Sequence, residues 1–453
     1  MLGPACCLLL AAFSSSVVEG AIGASGEVAA GRAPLEYDGD ARNSLTFTLV
    51  PAAAAQLRTA DSTLTLSYTP RIFYRLPNAL NLNHPLVLHQ VALGNTLAIG
   101  KWLAWASSAQ VAVGQIDYTA AGVVFDPGLV SAVRSSVTDI LRGTAETGLK
   151  YQVLPTLTLN LDSGVEYTTT LDNPLVQPAP VAMADGQVTG TGPTVFGSVI
   201  PDSFQARGKP GFAVSIGRDT HVGAAAELTY QWFKSTARYL VLSPELEWDT
   251  RFGPRTTLAM AGGLAYVWTL EAYDPDAENN SLGGTGNIDL RSLVYRGRGT
   301  STTLGLNAAL DWFFDPILGT SQPRAGATVT GVIQIGRDWQ ISPLASFFTL
   351  LKTTRIRLLL DGMVLPSDDP LVIQQRIDQA RAATNATLLR LELPIDYRIS
   401  DAASFNFGVR SAFRGRPLSE PGFRLNEQVE IWAFVGLTLR AATSHDNGAW
   451  LPL

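Results

Sequence analysis

Charged side chains recur at alternate positions along segments whose intervening residues are apolar: Arg71, Arg75, Asp162, Glu166, Glu245, Glu247, Asp249, Arg390, Glu392, Asp396, Arg410, Arg414, Glu430 and Arg440. On one face of a wall, acids and guanidiniums either pair with one another or set the field felt by a passing solute. These residues are the candidate lining of a polar lumen, and without strand register both roles stay open. Metal chemistry finds no support, because none of His84, His89, His221 and His445 has ligand-like spacing with a cysteine or carboxylate. Asp274, Asp276 and Glu278 alternate as calcium ligands would, but Asn279 stands where such a loop turns on glycine, and no glutamate closes it. The segment reads as an acidic surface loop. No glycine-rich loop followed by Lys and Ser or Thr is present to cradle phosphate. No catalytic, cofactor-binding or metal-binding residue is assigned, no cofactor is expected, and the chain is not read as an enzyme.

The elements that would carry the charges follow a period of two. From Thr63 to Leu76, Leu64, Leu66, Tyr68, Pro70, Ile72 and Tyr74 oppose Thr63, Thr65, Ser67, Thr69, Arg71 and Arg75, with Phe73 the one apolar residue on the polar side. Successive side chains of a strand point to opposite faces, so this is a strand greasy on one face and hydrated on the other. The same alternation recurs at 156–168, 240–249, 258–270, 389–397, 405–414 and 428–440. A helical period fits none of these. Tyr167, Tyr230, Trp232, Trp248, Tyr266, Trp268 and Tyr397 fall near strand ends, where an amphipathic ring can straddle a headgroup boundary.

Connections are of two kinds. Short turns are expected near Leu154 and Pro155 and at 217–220, 251–255, 336–342 and 398–402. Long segments are expected at 119–144, 170–208, 272–286 and 353–385. Two of the long ones carry helix signals. Asp126-Pro127 precedes Val130, Val133, Val137, Ile140 and Leu141 at helical spacing, and 367–370 opens a similar stretch. The pattern predicts an all-β, antiparallel up-and-down transmembrane barrel of roughly 16 strands, between about 14 and 18. One conflict stands in this reading: counting back from the last strand makes 44–58 descend where a first strand should ascend. A missed strand is expected between 272 and 324.

With 46% hydrophobic and 16% charged residues, a formal net charge of −6 and no basic run, neither disorder nor a nucleic-acid partner is favoured. Residues 6–13 form an apolar run followed by small residues, as in a secretory signal cleaved near Gly20 or Ala21. At roughly 9 apolar residues it is too short to span a bilayer. Cys6 and Cys7 both lie in it, so an exported chain would carry no disulfide. The expected organisation is a signal peptide at 1–21, a short periplasmic segment at 22–43, a barrel at 44–440 and a tail at 441–453.

Signal, alternating strands, aromatic placement and the rhythm of short turns and long loops together resemble the outer-membrane β-barrel proteins of Gram-negative bacteria. The resemblance covers nearly the whole exported chain and matches no single porin or transporter family. It implies outer-membrane lipid and the barrel-assembly machinery as partners, although 428–440 is followed by a tail where such barrels usually close on an aromatic residue. In that tail, residues 444–448 (SHDNG) are similar to the His-x-Ser-Asn-Gly segment of outer-membrane phospholipases, but Asn447 takes the place of the serine and the segment lies beyond the last strand. The expected function is a channel or transport barrel passing small solutes by diffusion through a mixed-charge lumen. The alternatives are a structural or surface-interaction barrel, an export barrel for a surface polysaccharide and, more remotely, an outer-membrane lipase or protease. The oligomeric state is not assigned.

Overall fold

A computed structural model of the chain describes residues 17–34, 41–77, 84–117, 137–171, 202–233, 237–271, 280–315, 320–351, 387–415 and 428–442. They form one antiparallel sheet of eighteen strands that closes on itself. In chain order the first nine are β1 (Val17–Pro34), β2 (Ala41–Arg58), β3 (Ser62–Tyr68 continued by Arg71–Leu76), β4 (Leu86–Ile99), β5 (Leu103–Asp117), β6 (Val137–Leu154), β7 (Leu157–Thr170), β8 (Ser203–Ser215) and β9 (Thr220–Phe233). The second nine are β10 (Ala237–Phe252), β11 (Thr256–Glu271), β12 (Asn280–Gly297), β13 (Thr300–Asp315), β14 (Thr320–Ile335), β15 (Trp339–Ile341 continued by Leu344–Leu350), β16 (Thr387–Arg398), β17 (Ala403–Gly415) and β18 (Gln428–Ala442). Each strand pairs with its neighbours in sequence, and β1 pairs with β18 from Ala21↔Ala442 to Arg32↔Ile431, which seals the wall.

The sequence reading passes over β1. It occupies most of 22–43, expected to be a periplasmic segment, and begins inside the expected signal; the stretch 272–324, where the missed strand was expected, holds β12, β13 and the start of β14. With β1 in place both chain termini of the barrel lie at one end, and the parity conflict disappears. The same end carries tight turns, five of which hold a glycine in the left-handed region, Gly253 (φ 65°) and Gly336 (φ 70°) among them. A second correction concerns β6. Val137, Ile140 and Leu141 were expected on a loop helix, yet they begin a strand whose first residues pair with β5 and β7. Val137, Thr138 and Ile140 are β-branched and favour an extended chain once a neighbouring strand is available. The rest of that predicted helix, the one after 367–370, the acidic loop at 274–278 and the tail at 444–448 lie outside the described residues.

Register fixes which way each side chain faces. Leu64 and Leu66 of β3, Leu159, Leu161 and Val165 of β7, and Ile431, Val435 and Leu437 of β18 are all exposed, on the outer face. Among the described residues, the outer face carries Asp, Glu, Lys or Arg only beside the ends of strands, as at Arg32, Asp139 and Arg238. Aromatic rings flank this uncharged belt. Tyr167, Tyr230, Trp232, Tyr266 and Trp268 lie toward the long-connection end, and Trp105, Trp248, Trp339 and Tyr397 toward the turn end. On β10, Leu240 stands beside Tyr230 and Trp268 while Trp248 stands eight residues on, about 26 Å along the strand. An uncharged band between two aromatic girdles is the exterior of a transmembrane barrel.

The wall is interrupted twice, both times at proline. On β3 the break falls at Thr69-Pro70, and the pairs Ala53↔Tyr68 and Leu49↔Ile72 that bracket it set Pro51 directly opposite Pro70. Neither has an amide hydrogen to donate, so no ladder bond forms there. On β15 the break falls at Ser342-Pro343, where the Gly331 amide donates to the Pro343 carbonyl at 2.8 Å and the Ser342 amide to the Pro394 carbonyl at 3.0 Å.

Facing decides tolerance. Val111 (47% exposed) on the outer face of β5 and Ser108 on its inner face differ by three residues. Val111→Arg is expected to cost about 2–4 kcal/mol of folding free energy in a bilayer, whereas Ser108→Arg is expected to cost little. Refolding into lipid vesicles, followed by heat-modifiable mobility on gels, measures both; equal tolerance would reverse inside and outside.

Candidate functional site

The inner face is where the chemistry-bearing side chains gather. Register places thirteen of the predicted lining residues on it; the side chain of the fourteenth, Arg414, lies outside the described residues. They do not form one cluster. They sort into sectors around the ring, with residues the sequence reading missed filling the gaps.

The first sector spans β6 to β10. Arg142 pairs with Glu166 at 2.9 Å, and Arg207 pairs with Glu146. Lys209 on β8 donates to Glu245 at 2.9 Å and to Glu247 at 2.8 Å on β10, reaching past β9. Small residues let it do so: Gly223 and Ala225 of β9, opposite Glu247 and Glu245, stand on the inner face between the two strands. Asp162 lies directly opposite Lys209 in the β7–β8 ladder. At the turn end, Ser215, His221 and Asp249 occupy one row of three adjacent strands, with the Ser215 hydroxyl and His221 Nδ1 2.9 Å apart. No hydrogen bond among the described residues joins Asp249 to His221, so the orienting contact that a nucleophilic triad requires is not made.

The second sector lies across the ring, on β16 to β18 and β1 to β3. Arg390 Nε donates to Glu392 at 2.7 Å on the same strand face. Arg410 donates to Glu27 on β1 at 2.6 Å while its guanidinium covers the Phe434 ring at 4.3 Å. Arg75 reaches Ser44 at 3.3 Å and lies over Trp432, and Arg71 lies over Phe73, each 5.7 Å from the ring centroid. The apolar exception in β3, Phe73, thus serves as a platform for a cation. Glu430 is buried opposite Ala412, Asp396 stands opposite Asn406, and Arg440 stands opposite Gly23. Between the sectors, Arg324 grips Asp311 with two bonds of 2.9 and 2.7 Å.

Glycine seats the aromatics of the second sector. A Cβ on Gly31 would come within 2.7 Å of the Trp432 ring, and one on Gly408 within 2.9 Å of the Phe434 ring. Because a Cβ on Gly408 would also run into the Leu393 carbonyl, Gly408→Val is expected to push on the β16 backbone as well as on Phe434 and the Arg410–Glu27 contact, lowering stability by roughly 1–3 kcal/mol. Urea titration of the detergent-solubilised barrel would show this as a lower midpoint; an unchanged midpoint would mean that the ring is not seated on the glycine.

Sequence reasoning missed Glu27 because β1 was missed. It missed Arg207 because that residue fell in the segment 170–208 read as a long loop, and Lys209 because it stands at that segment's edge. The signal there was Gln205, Arg207 and Lys209 at alternate positions, masked by an outer set, Ala206, Gly208 and Pro210, too small and too turn-like to register as lipid-facing.

No protein-family model matches the chain, and no curated protein matches it. Among solved structures it is similar to the siderophore receptor PiuA from Acinetobacter baumannii, at 11% identity over 93% of this chain and 82% of that one, with a TM-score of 0.39. It is also similar to the FrpB iron transporter from Neisseria meningitidis (7% identity, 92% and 82% of the two chains, TM-score 0.41). OccK11 from Pseudomonas aeruginosa is a third (10% identity, 94% and 96%, TM-score 0.36).

Proposed function

We infer that this chain is an outer-membrane channel that lets polar solutes cross by diffusion along a charged inner wall. The observation that carries the reading is the partition of charge: the middle of the outer face has none, while paired acids and bases line the inner face through most of the ring. Barrels of about 16–18 strands are wide enough to leave an aqueous passage, and mixed charge on the wall of such a passage governs which solutes enter it.

The two sectors differ in sign. The arc from β6 to β10 holds more carboxylates than cations, with Glu227 and Asp249 beyond those already paired; the arc from β16 through β18 to β3 holds more arginines than acids. In a ring of eighteen strands, β8 faces β17. A solute in transit would therefore feel a field across its path as well as along it.

Membrane orientation follows from connection length. In barrels of this architecture short turns face the periplasm, which sets the turn end and both barrel termini there. The first residues act as the export signal, cleaved near Gly20 or Ala21. A cut after Gly20 would spare the seam and one after Ala21 would remove only its first pair, since β1–β18 pairing begins at Ala21↔Ala442 and residues 17–20 pair with β2 alone. Outer-membrane lipid and the assembly machinery are the partners this reading requires.

Reconstitution in planar bilayers tests it. Discrete ion-conducting steps are expected, with a reversal potential in a salt gradient that moves toward anion preference in Asp249→Asn and toward cation preference in Arg440→Gln. Folded barrels that carry no current would refute the channel.

A further inference from the structure

Across β3 to β9 the inner wall is hollowed into a recess of about 600 Å³, within the roughly 300–1,000 Å³ typical of small-molecule sites. Its floor is made of small side chains, among them Thr65, Gly94, Ala106, Ser108 and Gly148, and no described inner-face residue of β4 or β5 is charged. Its rim is the ridge of long charged side chains on β6 to β9: Glu146, Asp162, Arg207, Lys209 and Glu227. The recess is thus a step in side-chain length, where a hydroxyl-bearing floor meets a charged edge.

The charges on that edge are matched in part. Arg207 is engaged by Glu146 and Lys209 by Glu245 and Glu247, whereas Asp162 and Glu227 make no ion pair among the described residues. A Cβ on Gly148 would meet the Asp162 carboxylate at 2.8 Å, so the glycine is what allows that carboxylate to lie over the floor. Matched charges offer a small ion little gain over water, but they do not exhaust hydrogen-bonding capacity. A carboxylate has about four lone-pair sites and a guanidinium five donors, and the floor hydroxyls both give and accept. Donors and acceptors at this density, with carboxylate acceptors in surplus, suit an uncharged polyhydroxy solute whose hydroxyls can donate to them.

We propose that the recess is a binding site for a neutral saccharide, with Asp162 accepting from adjacent sugar hydroxyls and Arg207 donating to them. The proposal rests on the reading of the barrel as a passage for polar solutes and names the class of solute. No aromatic ring of the described residues lines the recess, so weak binding is expected. A transit site needs such weakness: tight enough to enter, loose enough to leave.

Isothermal titration of the folded, detergent-solubilised barrel with maltotriose as the probe tests this without relying on conductance. Saturable binding is expected. Asp162→Asn is expected to weaken it about tenfold, the loss of one charge-assisted hydrogen bond, and Ser108→Trp, which fills the floor, to abolish it; heat-modifiable mobility shows that each variant folds. Absence of binding to the wild type, equal binding by folded Asp162→Asn, or displacement of maltotriose by equimolar spermidine would overturn the saccharide site. A barrel that conducts ions yet ignores maltotriose loses the site and keeps the channel, whereas one that binds maltotriose without conducting loses the channel and keeps the site.

Discussion

The whole molecule depends on one constraint: within hydrocarbon, every backbone N–H and C=O must find a partner in the protein. A sheet meets it only by having no edges, and here the edges are removed by pairing β1 with β18 over residues far apart in the chain. Everything else is arranged around that seam. Closure forces each strand to present alternate residues to lipid and to the interior, so the alternation that sorts Leu64 from Thr65 or Leu161 from Asp162 is a consequence of the ring. Where the constraint is relaxed, at Pro51 opposite Pro70, the ladder is open on both sides of the same point, so the prolines leave no amide donor stranded.

Closure also explains where the long side chains are tolerated. A charge on the inner wall escapes lipid only if its neighbours leave it room and a partner. Lys209 reaches across β9 because only Gly223 and Ala225 stand in its path, and Arg410 reaches Glu27 because Gly408 and Gly31 let Phe434 and Trp432 lie flat against the wall. These pairs are partly exposed, so each adds only about 0–1 kcal/mol. Their larger effect is on shape and potential, since they fix which arcs of the interior are thick and charged and which are thin and neutral.

How much of this was legible depended on contrast between neighbouring residues. β7 and β18 could be read because large apolar residues alternate with polar ones. β1 could not: its outer set includes Gly20, Ala24, Gly26 and Ala30, its inner set Ala21, Gly23 and Ser25, and small residues on both faces leave the period of two with nothing to modulate. It also follows an apolar run, which drew it into the signal. β8 was hidden by Pro210 and Gly208, residues that mark turns elsewhere but in a strand flanked on both sides merely thin the wall. Inner or outer placement of a charge needed only parity, so it could be read wherever the strand could. Partners needed register between strands, which one-dimensional alternation does not contain; hence Lys209 between Glu245 and Glu247 became visible only in three dimensions.

The residues that obscured the sequence reading are the ones that shape the interior. Small residues weaken the alternation signal on β4 and β5, and the same smallness hollows the recess beside β6. A wall of uniformly large inner side chains would have been easier to recognise and would have filled its own lumen, as in narrow barrels whose interiors are packed solid. Here the contrast lies around the ring more than along each strand: bulk and charge on β6 to β10, glycine, alanine and serine on β4 and β5. A strand of small residues loses the signature by which it would be found, and the faint stretches of such a sequence are therefore the places where the wall is thin.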